Sequence, residues 1–408
     1  MKNSNIEWIG KIPDNWYTAK YKYFSKSRMG ETILITDTID DGIPVYSATQ
    51  GDAFLGYVSS ANVVLHKNDI VIPARGNSIG CAKIVQANKA TCTQTTICST
   101  GIHNIDAKFL YYCCHGLKEY WFQYDGSAIP QITVSQVENN TLAVPPLEVQ
   151  KLIANFLDKK CSEIDGLMFD IQSQIDMLEE YKKSIITEAV TKGLNPDVEM
   201  KDSGIEWIGM IPKHWDVHPV GYYFSERKNK NALLEEQNLL SLSYGKIVRK
   251  DINSLGGLLP ESFNTYNIVE SNDIIIRPTD LQNDKRSLRT GLVTEHGIIT
   301  SAYIDLMPKA NVNSKYFHYL LHSYDVTKVF YNMGNGVRQG LNYSEFAKLM
   351  VFAPPTQEQQ EIANHLDAKC AEIDAVIADK KAQLETLTEY KKSFIYEYVT
   401  GKKEVPHA

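Results

Sequence analysis

An eleven-residue phrase occurs twice in this chain, about two hundred residues apart. It reads IEWIGKIPDNW at Ile6–Trp16 and IEWIGMIPKHW at Ile205–Trp215, with eight of the eleven positions identical. A longer phrase, VPPLEVQKLIANFLDKKCSEID at Val144–Asp165, returns as APPTQEQQEIANHLDAKCAEID at Ala353–Asp374. This period is too long for a solenoid, whose repeats run from about 20 to 50 residues. The chain is therefore predicted to be a tandem duplication that folds into a pseudo-two-fold molecule.

The similarity between the copies is concentrated at the beginning and end of each half, whereas residues 17–143 and 216–352 have drifted apart. We expect the shared ends to form a scaffold and the divergent middles to do different jobs. Each middle alternates short apolar runs with turns and is predicted to be a mixed α/β domain. In the first middle a helix is predicted at Ala107–Tyr124. Strands are predicted there at Thr32–Thr36, Ile43–Ser47, Asp69–Pro73 and Lys83–Ala87.

Each copy ends in a long segment with the period of a coiled-coil helix. After Pro145-Pro146 the chain runs to Gly193 without another proline, and apolar residues recur every seven positions with a second row between them. The predicted seam residues are Leu157, Ile164, Ile171, Leu178 and Ile185 in the first copy, and Leu366, Ile373, Leu387 and Phe394 in the second. In the first copy the second row is predicted to comprise Ile153, Leu167, Ile175 and Tyr181.

Some 45 residues make a helix of roughly 65 Å, and one such helix with one apolar seam is unstable in water. The two copies are therefore expected to pack against each other as an antiparallel pair. Each helix would act as a strut that holds the two variable domains at a set distance. Pairing with a second copy of the chain is the alternative, although the effective concentration within one chain favours the internal pair.

The composition is that of an ordinary soluble protein, with 408 residues, 43% hydrophobic and 22% charged. This length predicts two or three domains. No apolar run reaches the roughly 18 residues of a membrane span, and the first ten residues lack the apolar core of a signal peptide. Seven cysteines without a C-x-x-C pair are typical of a reducing cytoplasm, with neither a disulfide framework nor a zinc site.

The net charge of −7 is unevenly distributed along the chain. Residues 144–204 carry 7 basic and 12 acidic side chains, and residues 353–408 carry 7 and 10. Residues 1–143 are neutral overall, and residues 205–352 have a net charge of +1. The acidity therefore lies in the predicted helices, and any contact between the middles and nucleic acid must use local clusters or the charge of a partner.

Certain loops of the middles suit an anionic ligand that carries bases. Arg75-Gly76-Asn77-Ser78 follows a predicted strand, where Arg and Asn are able to make bidentate contacts with guanine or adenine. Matching places in the second middle offer different side chains, as expected of two related readers of different sequences. The DNA-binding candidates are Ser47, Thr49, Gln50, Arg75, Asn77, Ser78, Lys83, Gln94, Gln131, Ser243, Tyr244, Lys246, Arg277, Thr279, Lys285, Arg286, Arg289, Arg338 and Gln339. Each of these alone is also compatible with a solvated turn.

Motifs for chemistry are not found in the sequence. There is no G-x-x-x-x-G-K-[ST] loop for ATP and no G-x-G-x-x-G at a helix start. Pro196–Lys201 superficially resembles a PD-(D/E)xK nuclease site, but its spacer is too short to bring two acids from separate strands to one metal ion. His318 and His322 share a helical spacing and fit a packed helix face better than a metal site. We therefore expect a recogniser with no catalytic residues and no metal site.

These phrases together resemble the specificity (S) subunit of type I restriction–modification systems. The resemblance lies in IEWIGxIPxxW, written twice, in PPLEVQKLIANFLDKK and PPTQEQQEIANHLDAK, and in the linker KGLNPDVEMKDSGIEWIG. It implies an α+β fold, with two pseudo-two-fold-related α/β target-recognition domains separated by two long antiparallel coiled-coil helices. The expected parts are 1–144, the first target-recognition domain; 145–194, the first spacer helix; 195–353, the linker and second target-recognition domain; and 354–408, the second spacer helix and tail.

The resemblance also implies partners. Each target-recognition domain would read one half of a split site in double-stranded DNA, and the chain itself would perform no catalysis. Two methyltransferase (M) subunits would bring S-adenosylmethionine and methylate adenine. Restriction (R) subunits would bring ATP and Mg and cleave unmethylated DNA. The expected location is the cytoplasm of a bacterium or archaeon, with no membrane.

Two other functions stay open at the level of the sequence. One is a two-headed coiled-coil adaptor whose middles bind protein partners instead of DNA. The other is an orphan methyltransferase or nuclease, which would need motifs that the sequence search did not find. The repeated IEWIG phrase itself is expected to pack where the scaffold meets each domain, with its tryptophans buried instead of stacked on bases.

Overall fold

Both segments with the heptad period are helices in the computed structural model of the chain. They span Leu147–Lys192, with 46 residues, and Thr356–Val399, with 44. The chain divides into unit 1, Met1–Gln172 with Lys380–Ala408, and unit 2, Ser173–Asp379, so that each unit contains part of both helices. The structure describes residues 1–49, 51, 53–122, 130–205, 208–252, 262–279, 288–329, 333 and 340–406.

Unit 1 is built on an antiparallel four-stranded sheet. Its strands lie in the order Lys26–Met29, Thr96–Thr100, Ile70–Pro73 and Lys83–Ile84. A second sheet has three strands, in the order Tyr57–Val58, Ile43–Tyr46 and Thr91–Cys92. Its first two strands are antiparallel, and its last two are parallel. The remaining strands are Lys2–Asn3 with Lys11–Ile12, and Tyr17–Lys20 with Thr141–Val144. The shorter helices are Ala107–Gly116, Lys118–Trp121 and Val134–Asn139.

Unit 2 repeats the four-stranded sheet in the same chain order, but its other strands all form two-stranded pairs. Its four-stranded sheet has the order Phe224–Glu226, Ile304–Pro308, Ile274–Ile276 and Thr290–Leu292. The other pairs are Met200–Asp202 with Met210–Pro212, Asp216–Pro219 with Met350–Ala353, Leu240–Ser243 with Lys246–Arg249, and Asn267–Val269 with Gly297–Ile299. Its shorter helices are Val220–Tyr223, Ser314–Val326 and Tyr343–Phe346. The shared sheet order and shared helices confirm the predicted duplication and the predicted α+β class.

One central strand of each unit is a continuous apolar run because both of its faces are covered. Ile70–Pro73 and Ile274–Ile276 are buried along their whole length. In unit 1 one face packs against Phe109 and Leu110 of the short helix, within a core that also contains the long-helix residue Leu157. The long helices thus complete the hydrophobic core of each unit, which offsets the entropy of ordering them.

In each unit the two long-helix segments run antiparallel. In unit 1 the ring of Phe156 lies 5.0 Å from the ring of Tyr398, and Asp165 accepts a hydrogen bond from Lys391 at 2.6 Å. In unit 2, Lys182 donates to Asp374 at 2.6 Å. The two ion pairs occupy equivalent positions of the repeat, so the same contact is made twice.

The predicted seam residues all face inward to some degree. Leu157, Ile164, Leu366, Ile373 and Phe394 are buried, whereas Ile171, Leu178, Ile185 and Leu387 are half-buried. Of the predicted second row, Ile153 and Ile175 are buried, whereas Leu167 and Tyr181 are exposed. The side chains four residues after the first row take that place instead. They are Cys161, Met168, Ile175, Lys182 and Ala189, which include a lysine stem and a thiol that an apolar pattern search passes over.

The base of each middle is fastened to its long helix by the same hydrogen bonds. The Gln150 side chain donates to the Pro145 carbonyl at 2.8 Å and accepts from the Asp106 backbone N–H at 2.7 Å. Its counterpart Gln359 makes the same two bonds, at 2.9 and 3.0 Å, to the residues that correspond to these. Both glutamine side chains are buried, so each bond satisfies a polar group that would otherwise be costly to bury.

The repeated opening phrase packs where it was expected to pack. Trp215 is fully buried, stacks on Phe352 with ring centroids 5.7 Å apart, and donates from its indole to Glu358 at 3.1 Å. Trp16 is 5% exposed and Trp8 is half-buried, stacked on an aromatic ring of unit 1 at 5.1 Å. Trp207 lies outside the described residues. The three tryptophans of the repeated phrase that the structure describes thus pack within the protein.

Two of the predicted elements are wrong in detail. Thr32–Thr36 is no strand, because the Asp37 carboxylate accepts the Leu34 N–H at 2.9 Å and a 3-10 turn, Ile35–Asp37, forms there. Leu34 and Ile35 are left 56% and 75% exposed. The helix predicted at Ala107–Tyr124 is broken at Leu117 into two shorter helices, and the last two residues of the prediction lie outside the described residues. Within the described residues, the structure contains no helix long and apolar enough to cross a membrane. The four-part division of the chain stays a sequence-based prediction.

Candidate nucleic-acid interface

Four loops of unit 1 converge at one end of its central sheet. The Ala74 carbonyl accepts from the Ile132 N–H at 2.9 Å, and the Ala74 N–H donates to the Thr95 carbonyl at 2.9 Å. The backbones of Arg75 and Gln131 pair in an isolated antiparallel β-bridge. The Ser78 hydroxyl donates to the Ala48 carbonyl at 2.5 Å and ties the Ser47–Thr49 loop to the same place. Segments far apart in the sequence, each holding predicted contact residues, therefore meet at one edge.

At this edge the first reading surface consists of Thr49, Arg75, Asn77, Gln94 and Gln131. Arg75, Asn77 and Gln131 are exposed, and Thr49 and Gln94 are half-buried. Gly76, between the two exposed polar residues, has a φ of +78°, a conformation that glycine adopts without the strain a side chain would add. This backbone presents an arginine and an asparagine side by side, the two residue types that best read guanine and adenine edges.

Three predicted contact residues lie behind this surface instead of on it. Ser47, Ser78 and Lys83 are only 4–6% exposed. The Lys83 ammonium donates to the Thr49 hydroxyl at 3.0 Å. The prediction that these side chains contact DNA directly is corrected, because a buried ammonium or hydroxyl already bonded to a loop has no face to offer a base. Their role in the structure is to hold the loop that carries Thr49.

A carboxylate fastens the neighbouring turn. Glu31 accepts hydrogen bonds from the Asn62 and Val63 N–H groups at 3.0 to 3.1 Å and from the Thr91 hydroxyl at 2.8 Å. Burial raises the pKa of Glu31, but these hydrogen bonds to the ionised form outweigh burial, so its pKa lies below the usual value. The strand Thr91–Cys92, which leads into the turn with Gln94, is thereby fixed.

Unit 2 assembles an equivalent edge. The Pro278 carbonyl accepts from the Leu341 N–H at 3.0 Å, the counterpart of the Ala74–Ile132 bond. The hairpin Leu240–Ser243 with Lys246–Arg249 turns at Tyr244 and Gly245, which both have positive φ as a two-residue hairpin requires. Gly245 lies against Leu288, close in sequence to the strand that begins at Thr290.

We define the second reading surface as Ser243, Tyr244, Lys246, Arg277 and Thr279. Tyr244 is 86% exposed at the hairpin tip and Lys246 is exposed, whereas Ser243, Arg277 and Thr279 are half-buried. An exposed tyrosine ring at a rigid turn offers a stacking face and a hydroxyl together. Five further candidates, Gln50, Lys285, Arg286, Arg338 and Gln339, lie outside the described residues.

Arg289 was predicted to contact DNA, and the structure contradicts this. It is fully buried, its backbone N–H donates to the Asp325 carboxylate at 2.6 Å, and its guanidinium donates to the Thr279 carbonyl. A buried guanidinium that bonds the loop from inside has no exposed N–H face for a base edge. Arg289 instead supports the backbone of the second reading surface, much as Lys83 supports the first.

One exposed aromatic residue beside the first reading surface was missed. Phe54 is 38% exposed, and its ring lies 5.0 Å from Tyr46 and 6.0 Å from Tyr57. The Thr49 hydroxyl donates to the Ala53 carbonyl at 3.1 Å, so Phe54 follows directly on the loop of the reading surface. The available signal was the single aromatic residue in the short glycine-flanked run GDAFLG, since base-stacking surfaces need such rings.

One protein family matches both halves of the chain. Residues 13–176 and 257–386 match the family described as "Type I restriction modification DNA specificity domain". These two matches cover well over half of the chain, one in each copy of the repeat. The chain belongs to this family of DNA specificity domains. Its class is therefore a specificity subunit of type I restriction–modification systems, which recognises a DNA target, and the adaptor hypothesis is not favoured.

Relatives and a solved structure extend the likeness over the whole chain. The type I restriction enzyme MjaVIII specificity subunit of Methanocaldococcus jannaschii is 23% identical, over 97% of this chain and 94% of its own. The putative MjaX specificity subunit of the same organism is 28% identical, over 97% and 96%. A structure described as explaining complex assembly and conformational transition of the type I R-M system has a TM-score of 0.69, at 12% identity, over 96% of this chain and 100% of that one. This likeness shows the fold.

Proposed function

We propose that the chain reads a bipartite DNA target, with one half-site for each reading surface. The observation that carries this proposal is the matched pair of edges, built on the same backbone hydrogen bond but presenting different side chains. Arg75, Asn77 and Gln131 suit a half-site with purines in the major groove, and Tyr244 with Arg277 suits a different one. Two readers on one scaffold with divergent surfaces fit a target whose halves are unrelated in sequence.

We further propose that this recognition directs enzymes that the chain does not contain. Two M subunits, carrying S-adenosylmethionine, would methylate adenine, and R subunits with ATP and Mg would cleave unmethylated DNA. The near-neutral middles support this division of labour, since phosphate contacts dominate DNA affinity and M subunits would supply many of them. The chain would act in the cytoplasm, where the DNA is, and without catalysis of its own.

The direct test uses the reconstituted complex. The purified chain, mixed with cognate M subunits and S-adenosylmethionine, should methylate genomic DNA at one split motif with a fixed spacer. Long-read sequencing that detects methylated adenine gives the motif. M subunits without the chain should leave the DNA unmethylated. Methylation at a continuous motif, or equal methylation when the chain is omitted, would contradict the proposal.

A further inference from the structure

The tip of the unit 2 hairpin carries a residue that the backbone there does not favour. Tyr244 has a φ of +47°, in the left-handed region where a bulky side chain is strained, and this type of turn favours asparagine followed by glycine. Among the residues that the structure describes, eight other than glycine have a positive φ, and five of these are asparagines. A tyrosine at this turn therefore costs stability that an asparagine would not cost.

The tyrosine also gains little from burial. The side chain of Tyr244 is 86% exposed, so it contributes little hydrophobic stabilisation to the fold. In unit 1, by contrast, the ring of Phe54 packs against those of Tyr46 and Tyr57, at centroid distances of 5.0 and 6.0 Å, and is only 38% exposed. Strain and exposure at one residue together indicate a ring whose contacts are made with a ligand, because backbone strain of this kind clusters at functional sites.

The hairpin that carries this ring is fixed to the sheet of unit 2. Leu242 and Ile247 lie so close over Gly291 that a Cβ on this glycine would come within 2.6 and 2.8 Å of their methyl carbons. At the far end of the hairpin, the Arg249 guanidinium donates to the Glu295 carboxylate at 2.7 and 2.8 Å. The ring is thus held on a rigid support, so little further entropy is lost when it meets its ligand.

The neighbours of the ring favour a DNA duplex as this ligand. Tyr244 belongs to the second reading surface, and Lys246, two residues further along the hairpin, is exposed beside it. A cation next to an exposed ring suits DNA, since the phosphates accept the ammonium while the bases accept the ring. A rigidly held ring is also able to enter between two base pairs, as the apolar wedges of DNA-bending proteins do. Stacking between bases would bury the ring and offset its strain.

We propose that Tyr244 inserts between two base pairs of the second half-site and kinks the duplex there. This inference rests on the proposed function and adds the way in which unit 2 selects its sequence. Insertion must unstack one base step, and pyrimidine–purine steps, TA or CA/TG, unstack most easily. The second half-site therefore contains such a step, which Tyr244 selects through the deformability of the duplex.

The test uses the full chain, reconstituted with cognate M subunits, on duplexes that carry its methylated motif. The second half-site is the half that an exchange of residues 17–143 leaves unchanged. Tyr244→Asn should raise the unfolding temperature of the chain by roughly 2–4 °C, because it relieves the strain, and should weaken binding to the motif at least about tenfold. Tyr244→Phe keeps the ring and should bind as the native chain does.

The matched control is Leu234→Asn. Leu234 lies in the same unit, has a φ of +56° and is 49% exposed, so it combines strain and exposure as Tyr244 does but is not part of the reading surface. Its replacement should give the gain in unfolding temperature and leave DNA binding unchanged. Loss of binding in both variants would show that the effect does not belong to the tyrosine ring, and would overturn the proposal.

Mismatched duplexes locate the insertion. A mismatch at the inserted step removes part of the unstacking cost. In a series with one mismatch at each position of the second half-site, one duplex should therefore bind the native complex at least about tenfold more tightly than the matched duplex. Tyr244→Asn should abolish this gain. Energy transfer between dyes on the two duplex ends should report a bend with the native chain that Tyr244→Asn reduces.

The two possible failures are distinguishable. If the reconstituted complex methylates no split motif, the proposed function fails and this inference fails with it. If the complex methylates a split motif but Tyr244→Asn binds and bends the duplex as the native chain does, only the insertion is overturned. A second half-site without a pyrimidine–purine step would overturn it as well.

Discussion

The two units fasten their long helices alike but differ in a buried residue of their four-stranded sheets. Both use a buried glutamine, Gln150 or Gln359, in the same two hydrogen bonds. On the central sheet, however, unit 2 has Asp305 where unit 1 has Cys98. Contacts that hold the scaffold stayed the same after duplication, whereas positions inside each recognition domain were free to change. Each domain is therefore expected to be stabilised separately, and substitutions at matched positions test this.

The largest effect is expected from the repeated tryptophans. Trp215→Ala removes a fully buried ring that stacks on Phe352 and bonds Glu358, and should lower the free energy of unfolding by about 3–5 kcal/mol. Trp16→Ala should destabilise to a similar extent through unit 1. Denaturant unfolding measures both. If each domain is stabilised separately, Trp215→Ala should impair reading of the second half-site before the first, and equal impairment of both would break the comparison.

The next effect is expected at Asp305, the buried acid that unit 2 has where unit 1 has Cys98. Burial, together with the neighbouring Asp273, raises the pKa of Asp305 to about 8. Because the folded-state pKa lies above the unfolded value, the wild-type chain loses stability as pH rises from about 4 to about 8. Asp305→Asn should remove that loss and stabilise the chain near pH 8 by about 2–4 kcal/mol, with no gain at pH 4.

The matched change in unit 1 is Cys98→Asp, which should introduce the same pH-dependent loss there. Urea midpoints measured from pH 4 to pH 9 compare the two variants. If the urea midpoints of Asp305→Asn and wild type differ by the same amount at every pH, Asp305 does not titrate in this range. The two units would then not differ in the pH dependence of their stability.

A smaller effect is expected at the first reading surface. Arg75→Ala should relax discrimination in the first half-site by about 1–3 kcal/mol if the guanidinium contacts a base edge. The second half-site should stay unchanged. Competition binding with single-base variants of the target measures both. A uniform loss over all sequences would identify Arg75 as a phosphate contact instead.

The smallest effect is expected at the repeated ion pairs. Lys182 with Asp374 and Lys391 with Asp165 are partly exposed, so replacing either lysine by methionine should cost less than about 1 kcal/mol. The two costs should be equal within error, because the pairs are equivalent in the repeat. A cost of several kcal/mol at one pair alone, measured by thermal unfolding, would show that the scaffold is not stabilised alike in both units.

The sequence predicted the scaffold better than the reading surfaces. Helix periodicity and the repeated phrase are local patterns, so the long helices and the packed tryptophans followed from them. Lys83 and Arg289 were misassigned because their burial depends on which distant segments pack over them, and the contacting residues lie 34 and 36 positions away. Lys182 was missed in the seam because a lysine stem packs like an apolar side chain while its charge finds a partner on the other helix.

The proposal of two separate readers on one scaffold makes a specific prediction. Its most direct test replaces residues 17–143 with the corresponding segment of a relative that has a different target, and maps the methylated motif of the reconstituted complex. One half of the motif should change to that of the relative, while the other half and the spacer stay the same. A change in both halves, or in neither with methylation retained, would contradict the account.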